Sequence, residues 1–208
     1  MASEDIWPTI EAERRALADD LEALTDDQWS TPSLCDGWTV RDVLAHMTGT
    51  TRISAATFFP KLVANGFSLE KMQRKDIAVE RGDSPVDTLR RFRSQVSSTT
   101  HPPGPKDTWL GETIVHAEDI RRPLGLRRPY PPAAVAQVAD FYKGSNLVIG
   151  AKKRVAGLAL RATDTEWTHG AGPEVAGPIV ALVMAMAGRK AAIADLRGDG
   201  VAELSSRS

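Results

Sequence analysis

Apolar positions recur three and four residues apart through most of the first two thirds of this chain, the spacing of α-helices that bury one face. From about Asp5 to Thr25 the recurrence is carried by Leu17, Leu21 and Leu24. After a stretch from Asp26 to Trp38 that reads as a loop, Val40, Val43, Leu44 and Met47 form a second stripe. Thr39 and Asp42 open it at the spacing of a reciprocal N-terminal cap. Ser84 followed by Pro85 starts a third helix marked by Val86, Leu89, Phe92 and Val96. A fourth is predicted from about Asp107 to Arg122, with Trp109, Thr113, His116 and Ile120 on one side and Glu112 adjoining them. Pro123, Pro129, Pro131 and Pro132 mark a connection, and Ala133 to Ile149 reads as a further helix.

From about Lys152 the pattern changes. Leu158 to Ala162 alternates as a strand does, Thr163-Asp164 reads as a turn, and Glu166 to Thr168 as a second strand. Ile179, Leu182, Val183 and Met186 then form a helical stripe that starts at Pro178 and stops at Gly188. A last helical turn and a short strand, Val201 to Leu204, complete the expectation. The predicted architecture is mostly α: a helical bundle over residues 1–150, followed by a small α/β domain over 151–208. Neither His169-Gly-Ala-Gly-Pro173 nor Gly198-Asp-Gly200 sits between a strand and a helix as a phosphate loop would, so nucleotide binding is not expected.

Composition narrows the function. With 208 residues and 42% apolar side chains, the chain has ample material for a buried core. Lys and Arg number 26 against 27 Asp and Glu, a formal charge of −1, so no bulk field favours nucleic acid or an anionic membrane as a partner. One cysteine, Cys35, excludes an internal disulfide framework and suits a reducing compartment. The N-terminus lacks a basic segment followed by an apolar one, and the longest apolar candidate, Val175 to Ala187, is broken by Gly177 and Pro178. A cytoplasmic protein, monomeric or homodimeric, is expected.

The candidate chemistry lies on two of the predicted helices. Glu112 and His116 stand four residues apart on one helical face, and His46 sits on the flank of another stripe. Two imidazoles and a carboxylate make three protein ligands with a coordination position left open, the pattern of a catalytic zinc site, though iron(II), nickel, cobalt or manganese suit the same donors. The spacing alone also fits an exposed polar pair with no metal. Asp119, three residues beyond His116, reads either as a partner orienting that imidazole or as a solvated carboxylate. Cys35, with no histidine near it in sequence, reads as a small buried residue rather than a nucleophile. Trp29 and Trp38 read as loop anchors, and His101 and His169 as structural or exposed.

The order of these motifs resembles a known family. Asp27-Gln-Trp29, Cys35-Asp-Gly-Trp-Thr-Val-Arg-Asp-Val-Leu-Ala-His46 and Gly111-Glu-Thr-Ile-Val-His-Ala-Glu-Asp-Ile-Arg-Arg-Pro-Leu-Gly125 resemble the mycothiol-dependent maleylpyruvate isomerases of the DinB-like superfamily. Thr163 to Pro173 and Gly188 to Gly200 are similar to that family's small second domain. The resemblance implies an up-and-down four-helix bundle holding a divalent metal, usually zinc, on His46, Glu112 and His116. It also implies activation of mycothiol, the low-molecular-weight thiol of actinobacteria, as cosubstrate for attack on a small electrophile. An isomerase would expel the thiol after bond rotation, and an S-transferase would release the conjugate. Arg189, in the second domain, is a candidate for orienting an anionic substrate. A bundle that binds metal or a small molecule without turnover is the alternative.

Overall fold

The computed structural model describes residues 5–147 and 149–207, which form two compact units, Met1–Arg127 and Arg128–Ser208. In the first unit, α1 (Trp7–Asp20) carries Pro8 in its first turn and buries Ile10 and Leu17. The segment expected as a plain loop begins with a single helical turn, α2 (Asp26–Trp29), closed by a reciprocal cap between Thr25 and Gln28 that sets Trp29 into the core. The cap expected at Thr39 and Asp42 opens α3 (Val40–Thr50), which buries Val40, Val43, Leu44 and Met47. Helices α4 (Ala55–Ala64) and α5 (Leu69–Glu80) follow in a stretch where no apolar stripe had marked individual elements. The reason is visible in their burial: α4 buries no residue, and α5 buries only Met72, Ile77 and Glu80.

Helix α6 (Pro85–Arg93) starts where Ser84 accepts a hydrogen bond from the Asp87 amide. It buries Leu89 and Phe92, but Val86 faces solvent and the helix ends before Val96. Helix α7 (Asp107–Arg121) matches the expected fourth helix. Because α3 packs on α5, α6 and α7, while α1 packs on α6 and α7, the arrangement is a four-helix bundle whose third position is shared by α5 and α6. One cluster joins Leu17, Leu21, Trp29, Val43, Leu44, Met47, Leu89, Phe92 and Ile120. Each fully buried side chain of this size contributes roughly 1.5–3 kcal/mol. The ends of α1 and α7 are tied by fully buried Arg121, whose Nε donates to Asp20 Oδ2 at 2.7 Å.

The second unit begins with α8 (Pro132–Gly144), which ends at Gly144 rather than near Ile149, and continues through α9 (Ala151–Arg154). Three short strands follow: β1 (Ala159–Ala162), β2 (Thr168–His169) and β3 (Glu174–Gly177). Their order is β2-β1-β3, with β1 antiparallel to β2 (Leu160 opposite His169) and parallel to β3 (Leu160 opposite Val175). Helix α10 (Ile179–Met186) carries the expected stripe and gives way at Gly188, whose φ of 85° is the left-handed conformation that stops a helix. A 3₁₀ turn (Lys190–Asp195) and α11 (Val201–Ser206) complete the unit.

Three further expectations change. The domain boundary expected at 150 falls inside the second unit, because α8 packs on α10. Val175 to Gly177, the start of the longest apolar run, belong to strand β3, which the pattern does not mark because a short strand with three buried residues in four shows no alternation. Val201 to Leu204 is helical rather than extended: the place beside β3 is taken by Arg197, whose backbone pairs with Ala176, and only Leu204 of the segment is buried. No helix among the described residues is long and apolar enough to cross a membrane.

Candidate metal centre

Helices α3 and α7 bring His46, Glu112 and His116 together, with one ligand atom from each lying within 4.8 Å of the other two. The two imidazole rings meet edge to face, centroids 5.0 Å apart at 84°. His46 is backed on another side by Trp38, whose ring centroid is 5.0 Å away. Trp38 immediately precedes the Thr39 cap, so the segment that starts α3 also packs against His46. Thr50 Oγ1 donates to the His46 carbonyl at 3.1 Å within the same helix.

Glu112 shows most clearly how the donor set would suit a cation. Both of its carboxylate oxygens are closed off from solvent and lack a well-formed hydrogen bond among the described residues. Burial pushes its pKa up, against the pull of the His116 and Arg14 charges and the nearby hydroxyls of Thr113 and Thr50. A buried carboxylate without partners is costly unless protonated or compensated, and a divalent ion between it and two imidazoles supplies the compensation. The donor set therefore fits a metal. Arg14, itself buried, gives its Nη1 to the Ser98 carbonyl at 2.9 Å and does not ion-pair with Glu112 directly.

Asp119 is fully buried, which removes the solvated-carboxylate alternative. Its Oδ2 lies 2.9 Å from His116 Nδ1 and accepts from Cys35 Sγ at 3.1 Å, and the sulfur stands 3.7 Å from the same ring nitrogen. The Leu34 amide donates to the Asp119 carbonyl at 3.1 Å, clamping the Cys35 loop to α7. Burial lowers the His116 pKa, but the Asp119 and Cys35 partners outweigh it and raise it to about 10 in the protein without a bound cation. With Nδ1 held by Asp119, Nε2 is the nitrogen left for a metal, the usual arrangement of a ligating histidine fixed by a carboxylate. Sequence reasoning missed the contact between Cys35 and this pair because 81 and 84 residues separate them along the chain.

The remaining candidates fall elsewhere. Trp29 is a core residue and Trp38 packs at the core's edge, as expected for anchors. His101 is sandwiched between Trp7 and Trp109, each ring centroid 5.5 Å away. His169 lies on β2. Arg189 belongs to the second unit, where it follows the turn after α10, donates to the Ala187 carbonyl at 3.1 Å, and sits near enough to Arg154 to depress the pKa of that guanidinium after burial has done so.

Comparison with known proteins gives one direction. Residues 10–121, which contain α3 and α7 entire, match the family described as the mycothiol maleylpyruvate isomerase N-terminal domain. Two solved structures are similar over 93% of this chain and 91% of theirs, at 15% identity: a mycothiol-dependent maleylpyruvate isomerase, with a TM-score of 0.64, and its histidine-to-alanine mutant, with 0.61. At that identity the likeness is one of fold. No curated protein matches the sequence.

Proposed function

We propose, from the premise that this chain belongs to the mycothiol maleylpyruvate isomerase N-terminal domain family, that it is a thiol-dependent isomerase whose divalent metal is held by His46, Glu112 and His116. The observation that carries the reading is the Glu112 carboxylate, whose oxygens are closed off from solvent with no well-formed hydrogen bond among the described residues, and which lies within 4.8 Å of two imidazoles. Zinc is the proposed ion, on the family resemblance and among several divalent ions that suit this donor set, and mycothiol is the proposed cosubstrate. When bound, such an ion supplies a positive centre that lowers the pKa of a thiol sulfur in the open coordination position.

The residues divide the remaining work. Asp119, 2.9 Å from His116 Nδ1, would hold the proton on that nitrogen and leave the Nε2 lone pair to a bound ion. Glu112 brings one negative charge, so the centre stays cationic and favours an anionic sulfur. Trp38 covers one side of His46 and limits water there. Arg189 is proposed as the cation for an anionic group of the substrate, a role read by the effect of Arg189→Ala and Arg189→Lys on KM.

The test begins with metal content. Protein purified without chelator or metal-affinity resin is compared with His46→Ala by elemental mass spectrometry, and the wild type is assayed for mycothiol-dependent isomerisation of maleylpyruvate. Loss of bound metal in the variant, with thiol-dependent turnover in the wild type, is the expected result. Metal uptake unaffected by His46→Ala moves the site elsewhere. Metal binding without turnover, or turnover that consumes the thiol as a conjugate, replaces the isomerase with a binding module or an S-transferase respectively.

A further inference from the structure

A second cluster of metal-ligating side chains adjoins the first and shares His116 with it: Cys35, His116 and Asp119 also offer ligand atoms within 4.8 Å of one another. The separations are 3.7 Å from Sγ to Nδ1, 3.1 Å from Sγ to Oδ2 and 2.9 Å from Nδ1 to Oδ2. Around a tetrahedral zinc, usual bond lengths place a sulfur and a nitrogen about 3.6 Å apart, and a nitrogen and an oxygen about 3.3 Å apart. A sulfur and an oxygen on the same ion would stand about 3.6 Å apart, against 3.1 Å here, so the cluster must open by up to about half an ångström to become a ligand set. Thiolate, imidazole and carboxylate together favour a thiophilic cation, whereas the set with Glu112 and His46 carries no sulfur.

We propose that Cys35, His116 Nδ1 and Asp119 form a second, thiophilic cation site that competes with the His46, Glu112 and His116 set for a single ion. The competition rests on the reading of the first set given above; the second set itself does not. A neutral imidazole has one lone pair, so His116 serves one set at a time. When the ion passes from the first set to the second, the Cys35 thiol proton goes to solvent and the Nδ1 proton moves to the vacated Nε2. When the metal-free protein captures an ion from solution, the thiol and the doubly protonated ring each release one proton to solvent. In both cases the ring ends neutral with its Nδ1 lone pair toward the ion. The first set is then left with His46 and Glu112. Cys35 is only half-buried while Asp119 is fully buried, so an ion reaches the cluster from the sulfur side.

Cadmium added to the metal-free full-length protein tests this directly, because a cadmium thiolate has an ultraviolet charge-transfer band and the chain has a single cysteine to produce it. The wild type is expected to develop the band, Glu112→Gln to keep it, and Cys35→Ser to take up cadmium without it. Cadmium uptake by the wild type with no band overturns the proposal, and that readout needs no variant to fold. Loss of the band in Glu112→Gln also overturns it, since the two sets would then be one. A band in the wild type with no uptake at all by Cys35→Ser, shown by circular dichroism to be folded, leaves the second set standing and removes the first.

Discussion

The Asp119 carboxylate stands 2.9 Å from His116 Nδ1, one helical turn away on α7 and wholly out of solvent. It fixes both the ring's orientation and which nitrogen is left to a metal. Asp119→Asn is therefore expected to weaken zinc binding by about 10–100-fold, the usual cost of losing such a partner. Competition with a chelator of known affinity measures it. An unchanged affinity would show that His116 is oriented by packing alone.

The metal-free protein is expected to lose stability as pH rises, through these two groups. Glu112 has a folded-state pKa above its ordinary 4.5, and His116 has one raised from 6.5 to about 10. Each holds its proton more tightly folded than unfolded. The stabilisation from His116 is complete below 6.5 and is lost as pH climbs to about 10. The loss from Glu112 begins above 4.5. Bound metal reverses the sign, since its ligands must be deprotonated. Thermal melts of chelated and zinc-loaded protein across this range, with Glu112→Gln subtracted to remove other carboxylates, check it. Parallel slopes with and without zinc would contradict it.

Phe92 is fully buried in the bundle's main apolar cluster. Phe92→Ala is expected to cost about 3–5 kcal/mol, from lost burial and the cavity left behind. Denaturant titration of zinc-loaded protein would read it as a lower midpoint. A loss below about 1 kcal/mol would mean that the cluster collapses around the gap.

Gly170, just past β2, has a φ of 79°, and a Cβ there would stand 2.2 Å from the Leu158 carbonyl oxygen. Gly170→Ala is expected to cost at least about 1–2 kcal/mol from the backbone alone, and more from the clash. Hydrogen exchange should rise first at the β1 and β2 amides. Unchanged protection there would show that the turn relaxes without loss.

Much of the bundle was legible because its signals are local. Thr39 and Asp42 cap α3 with each other, Ser84 starts α6, and the i,i+4 spacing of Glu112 and His116 follows from helical geometry alone. Where burial is slight, as in α4, no stripe marked the element. Where neighbours distant in sequence decide conformation, pattern misled: β3 exists because β1 lies beside it, and Val201 to Leu204 turns helical because Arg197 already pairs with Ala176.

The site divides along the same line. The sequence by itself determined the donor types and the helices that carry them, since ligand chemistry and helical period are properties of single residues and short segments. Only the tertiary structure decided that the Glu112 carboxylate is closed off from solvent with no well-formed hydrogen bond among the described residues, that Asp119 is buried against His116, and that the loop bearing Cys35 folds onto that pair. Burial and partnership depend on which distant surfaces meet when the core closes, and no local pattern encodes that meeting.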